Sequence, residues 1–172
     1  MQTESFGVEL TRPCPVIPPS IQEEAVQSML ALIRKHHILS CASSFGKDST
    51  TTSFLFLEAV RRGVEEGINT THYLTTSCTG VENPSMERHA TAVQDEIRAH
   101  CEKHGLPVEV ITVYPSLASS FVVSTVGRGT LPRFPENGRD RACSVDWKVL
   151  PQKKLSAELQ ATAAQQNVRE PI

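Results

Sequence analysis

The sequence predicts an α/β domain built on a doubly wound parallel sheet. Three observations carry it. Short apolar or β-branched runs alternate with helical stretches, no hairpin signal joins two of the runs, and the polar small-residue loops follow the runs. Alternation of this kind builds parallel sheets covered on both faces, with ligands bound beyond the C-terminal strand ends.

The elements follow in order. Residues 1–19 are polar and proline-rich, ending in Pro13-Cys14-Pro15-Val16-Ile17-Pro18-Pro19, and predict an extended arm because proline fixes φ and lacks a backbone donor. The α/β domain spans 20–172. Ser20-Ile21-Gln22-Glu23 is a capping box, and Ile21, Ala25, Met29 and Ile33 recur at helical spacing, which predicts a first helix. His37-Ile38-Leu39-Ser40-Cys41-Ala42 has the bulk of a buried strand, and Thr51 to Val60 reads as a buried helix. Gly63 to Gly67 predicts a break, Thr71 to Thr76 a second strand, and Pro84 the start of a helix whose Met86, Ala90, Val93, Ile97 and Cys101 share a face. Gly105 ends that helix, and Val108 to Val113 is the third strand. A short helix over Leu117–Val126, an irregular segment from Gly127 to Ala142 and a last helix over about Val145–Ala164 follow. Asn167 to Ile172 reads as the start of one more strand.

Composition narrows the function. At 172 residues, net charge −2 and 39% hydrophobic residues, the chain is a globular domain with no global attraction to nucleic acid or a membrane surface. No apolar run approaches the roughly 20 residues of a membrane span, and the start lacks a signal-peptide pattern, so a cytoplasmic location is expected. Cys14, Cys41, Cys78, Cys101 and Cys143 are scattered, with no C-x-x-C pair. This predicts neither a disulfide framework nor an iron–sulfur cluster in this chain. His100 and His104 lie four apart but lack matched partners for a metal. Trp147 and Tyr114 are too few for a stacking platform on single-stranded nucleic acid.

The most informative stretch is Ser43-Ser44-Phe45-Gly46-Lys47-Asp48-Ser49-Thr50. A strand, a small-residue turn and a helix N-terminus bring unpaired N–H groups and the positive dipole end together. Lys47 adds a cation, and Ser44, Ser49 and Thr50 add hydroxyls. The stretch predicts a phosphate cradle. Its spacing is not that of a Walker A loop. Phe45 is expected to take an ordinary negative φ, since a bulky residue at positive φ is strained, and Gly46 to keep the freedom that close approach of a phosphate requires.

Ser44-Phe45-Gly46-Lys47-Asp48-Ser49 resembles the PP-loop, Ser-Gly-Gly-Lys-Asp-Ser, of the ATP pyrophosphatases and PAPS reductases, with Phe45 in place of the first glycine. Thr79-Gly80-Val81-Glu82-Asn83-Pro84 after the second strand, and Arg141-Ala142-Cys143-Ser144 before a helix bearing Lys148, extend the resemblance over residues about 36–155. The closest likeness is to the ATP-pyrophosphatase sulfurtransferases of bacterial DNA phosphorothioate modification. It implies a Rossmann-like fold of the adenine nucleotide α-hydrolase type, with ATP and Mg²⁺ as cofactors. Ser44, Phe45, Gly46, Lys47, Asp48, Ser49, Thr50, Ser77, Cys78, Thr79 and Gly80 would hold the nucleotide, and Asp48 the metal. Lys47, Asp48, Arg141 and Cys143 would be the catalytic group. Arg128, Arg133, Arg139 and Arg141 suit a polyanion, because guanidinium pairs phosphate or sulfate bidentately. The implied reaction adenylylates an acceptor and activates it for sulfur transfer. A sulfur-donating cysteine desulfurase and other phosphorothioation proteins would be partners, DNA would be met only through them, and no membrane is involved. Two alternatives stay open: an adenylyl sulfate or phosphoadenylyl sulfate reductase, and a non-catalytic ATP-binding module acting through partners. Cys78 departs from the acidic or amide residue usual at its position. The chain reads as shortened relative to the family at its C-terminal end, which predicts nucleotide binding with slow turnover, or none, by the chain alone.

Overall fold

The computed structural model describes residues 19–130 and 144–165. Helix α1 (Pro19–Arg34) leads into strand β1 (Ser40–Ala42), helix α2 (Lys47–Glu65), strand β2 (His72–Ser77), helix α3 (Pro84–His104) and strand β3 (Val108–Val113). A 3₁₀ turn (Leu117–Ser119), a π-helical segment (Val122–Gly127) and a second one (Val145–Val149) precede helix α4 (Leu150–Gln165).

The three strands form one parallel sheet in the order β1-β2-β3. Cys41 lies beside Leu74, and Thr76 beside Thr112. Because side chains alternate across a sheet, the register assigns the helices to faces. His72, Leu74 and Thr76 point to one side, where His72 meets Phe56 of α2 edge-on and Thr112 bonds Gln94 of α3. Ser77 points to the other side and accepts from Gln152 of α4. Both crossover helices thus share one face, as neighbouring parallel strands joined by crossovers of a single hand require. The opposite face carries α4. The core lies mainly between the sheet, α1, α2 and α3, around Leu30, Ile33, Phe56, Val60 and Leu74.

Local sequence explains most element ends. Asn83 caps α3 by accepting from the Ser85 N–H at 2.8 Å, with Pro84 in the first turn, and Gly105 closes it at φ 62°. Helix α2 starts earlier and ends later than expected, because Gly63 is not a break. It sits inside the helix, and a Cβ there would lie 2.8 Å from Ile33 Cγ2, so the missing side chain is what lets α1 approach α2. In α1 the buried face is Val26, Leu30 and Ile33, while Ile21 is exposed. The helix also begins at Pro19, one residue ahead of the expected capping serine. The short helix expected over Leu117–Val126 is a 3₁₀ turn followed by π-helical winding. The proline-rich arm, the arginine segment from 131 onward with Arg133, Arg139, Arg141 and Cys143, and the strand expected at 167–172 lie outside the described residues. Among the described residues no helix is long and apolar enough to cross a membrane.

Candidate functional site

A cavity of about 820 Å³ opens at the C-terminal ends of the strands. Ala42, Ser43 and Ser44 line it after β1, Thr76, Ser77 and Cys78 at the end of β2, and Thr112 and Tyr114 at the end of β3. This is where an open parallel sheet is expected to bind its ligand.

The floor is the loop from β1 to α2. The Ser43 N–H donates to the Thr75 carbonyl at 2.8 Å, extending the sheet ladder by one residue before the chain turns. Phe45 then adopts φ 54° and buries its ring at 1% exposure. Gly46 is the N-cap residue of α2 with φ −76° and ψ 173°. This reverses the expectation for Phe45, and the left-handed position does not fall to Gly46. The bulky one takes the left-handed conformation, and the glycine takes one open to any residue. The reason is packing. In the left-handed turn the Phe45 ring joins the core cluster with Phe56 and Leu74, and the gain from burying an aromatic side chain outweighs the backbone strain. The Phe45 N–H donates to Ser43 Oγ at 3.2 Å, and its carbonyl lies 3.2 Å from His89 Nε2. A carbonyl oxygen only accepts, so Nε2 of His89 carries the proton.

Gly46 matters for its space. A Cβ placed on it would sit 3.5 Å from Ser44 Oγ and 4.0 Å from Ser49 Oγ, touching no backbone. Those two hydroxyls are 3.1 Å apart, and all three residues line the cavity. A methyl group there would make ordinary van der Waals contact with both hydroxyls, covering them from the cavity while leaving the fold alone. No side chain caps α2, and the first intrahelical bond runs from the Thr50 N–H to the Gly46 carbonyl. The amides of Lys47, Asp48 and Ser49 are thus free of helical partners at the positive end of a 19-residue helix.

The walls combine apolar surface with charged side chains of both signs, among them Glu82, Glu87, Arg98 and Lys148. Gln94, buried in α3, accepts at Oε1 from Thr112 Oγ1 at 2.8 Å and from Arg98 at 3.4 Å. Across the mouth, Lys148 pairs with Glu82 at 3.4 Å, and Glu82 also accepts from Thr79 Oγ1 at 3.1 Å. Ser77 Oγ donates to the Lys148 carbonyl at 3.4 Å and accepts from Gln152 at 3.1 Å, which fastens the second π-helical segment and α4 to the end of β2. Trp147 holds the neighbouring turn by donating to the Ser119 carbonyl at 2.7 Å.

Of the residues expected to bind, Ser44, Gly46, Ser49, Ser77 and Cys78 line the cavity. Lys47, Asp48 and Thr50 stand on the first turn of α2 beside the cavity, with Lys47 and Asp48 exposed. Thr79 is buried and turned to Glu82, and Gly80, at φ 74°, serves the turn that follows. Arg141 and Cys143 lie outside the described residues. Sequence reasoning missed Gln94, Arg98 and Thr112. A signal existed for Gln94, a polar residue between Ala90 and Ile97 on an otherwise apolar helix face. Burial pushes the Cys41 thiol up, partly offset by a hydrogen bond with Ser53, so this cysteine stays a neutral core group. Among the described residues, no three His, Cys, Asp or Glu side chains gather as a metal site. His100 and His104 stack on an exposed helix face.

No protein-family model, no curated protein and no solved structure matches this chain.

Proposed function

We propose that the cavity is an adenine-nucleotide site of the PP-loop type, in a doubly wound domain of the adenine nucleotide α-hydrolase class, and that the chain is an ATP pyrophosphatase acting in sulfur transfer. The observation that carries the reading is the donor set at the start of α2. The amides of Lys47 to Ser49, free of helical partners, and the Ser44 and Ser49 hydroxyls meet beside Gly46, whose missing side chain leaves the approach to them open. Such donors at a helix N-terminus suit the charge and hydrogen-bonding demand of a phosphate group.

In the proposed reaction an acceptor oxygen bonds to the α-phosphorus, the bridging bond to the β-phosphate breaks, and pyrophosphate departs. A persulfide carried by the sulfur-donating partner would then attack the activated atom as AMP leaves, and a second thiol would cleave the S–S bond, ending as a disulfide with the donor cysteine and leaving the sulfur on the acceptor. Charge grows on the departing pyrophosphate, so the Ser44 and Ser49 hydroxyls and the amides of Lys47 to Ser49, fixed beforehand, stabilise the transition state. Lys47, on its flexible stem at the rim, adds a mobile positive charge. Mg²⁺ prefers phosphate oxygens with one or two carboxylates, so the Asp48 carboxylate on the first turn suffices as its protein anchor, and the ion would neutralise phosphate charge. The resemblance of the loop, of Thr79–Pro84 and of Arg141–Ser144 to the PP-loop sulfurtransferases supports the acceptor chemistry. It also supports a cysteine desulfurase and other phosphorothioation proteins as partners.

The test is calorimetry of MgATP binding to wild type, Gly46→Ala and Lys47→Ala, with α-labelled ATP assayed for AMP and pyrophosphate. Removing the Lys47 charge should cost about 1.5–3 kcal/mol of binding. Gly46→Ala should weaken binding at least about tenfold, while costing no more than about 0.5–1 kcal/mol of stability as a poorer N-cap. Unchanged affinity in both variants overturns the reading.

A further inference from the structure

We propose that His89 is a positioning residue of the phosphate loop, holding the peptide that joins Phe45 to Gly46 in its binding orientation; the inference rests on the nucleotide reading of the cradle. A trans peptide is planar, with its C=O and N–H pointing in opposite directions. Donation from His89 Nε2 to the Phe45 carbonyl draws that oxygen toward α3. The Gly46 N–H, on the other side of the peptide, is thereby turned away from His89, and it makes no hydrogen bond among the described residues. Were the peptide to flip, a carbonyl oxygen would replace that donor and repel an anion.

The flip is a real alternative because Phe45 is strained. At φ 54° a bulky residue sits in a conformation that surrounding structure must enforce. Burial of the ring fixes the side chain. The Ser43 Oγ bond fixes the N–H on the near side of Phe45. Neither holds the peptide on the far side. Among the described residues His89 makes the one hydrogen bond to that carbonyl. His89 is itself exposed and lies outside the cavity lining, so it acts on the ligand only through the loop.

Calorimetry with MgATP, urea unfolding and the NMR shift of the Phe45 carbonyl carbon test this on the full chain. His89→Ala is expected to raise the dissociation constant about tenfold, leave the unfolding midpoint in place and move the Phe45 carbonyl resonance. His89→Gln, whose amide nitrogen donates from a similar reach, is expected to restore both. If wild type binds MgATP and His89→Ala binds it equally well, the inference is overturned while the nucleotide reading stands. If wild type binds no MgATP, the nucleotide reading fails, and the ligand-free spectrum decides whether His89 holds the loop: an unchanged Phe45 carbonyl resonance in His89→Ala overturns that too.

Discussion

Acidification should destabilise this protein well above the range where carboxylates titrate, through His72. The ring is buried at 1% exposure on β2, edge-on to Phe56 at 6.3 Å, and burial pushes its pKa down from 6.5 to about 4. Nδ1 accepts from the Leu39 N–H at 3.1 Å, so the neutral ring is protonated at Nε2. A second proton would have to displace that bond and set a charge in the core. The unfolded chain takes the proton more readily than the folded one, so the stability is fully present above pH 6.5 and is lost as pH falls toward 4. At about 1.36 kcal/mol per pH unit the full loss is ~3 kcal/mol, and about 2 kcal/mol of it is gone by pH 5. Urea unfolding from pH 7.5 to 5 measures it directly. His72→Asn keeps a side-chain acceptor near the Leu39 N–H without a titrating group; it should be less stable than wild type at pH 7.5 and show a nearly flat profile. A wild-type slope that survives unchanged in His72→Asn would refute the assignment to this histidine.

Two other substitutions separate packing from binding. Gly63→Ala places a methyl group 2.8 Å from Ile33 Cγ2 and must push α1 from α2, costing about 1–3 kcal/mol in urea unfolding, while MgATP affinity, read by calorimetry, stays near wild type. Glu58 bridges Arg61 and Arg62, which hold its carboxyl down at about 2, but the cluster is solvent-accessible. Glu58→Gln should therefore cost less than about 1 kcal/mol at low salt, and the difference should shrink in 1 M NaCl.

Most of the sheet was legible because buried and β-branched runs are local, although β1, expected over His37 to Ala42, is a strand only over Ser40–Ala42. Val108 to Val113 is a strand to the residue, and β2 is shifted by one. Helix α3 was equally plain, since a proline start and a glycine end are fixed by backbone chemistry alone. The misses have a common cause in long-range packing. Gly63 reads as a breaker until Ile33 is set against it. Ile21 reads as core until α1 is rotated onto α2 through Val26, Leu30 and Ile33. In the site, the residues contributed by the loop were visible as a contiguous motif. Arg98, Gln94 and Thr112 converge from two elements, and no short-range pattern announces such convergence.

Phe45 marks where local and global demands part. Every local rule assigns the left-handed position in this loop to Gly46, and the fold gives it to Phe45. Two results follow from that exchange. The ring seals the floor of the loop against the core, so the turn is anchored by apolar burial rather than by hydrogen bonds alone. Gly46, relieved of any conformational duty, leaves the approach to the Ser44 and Ser49 hydroxyls open. A strained residue held in place by its surroundings is a frequent mark of a functional loop, and the proposed phosphate site lies directly beside this one.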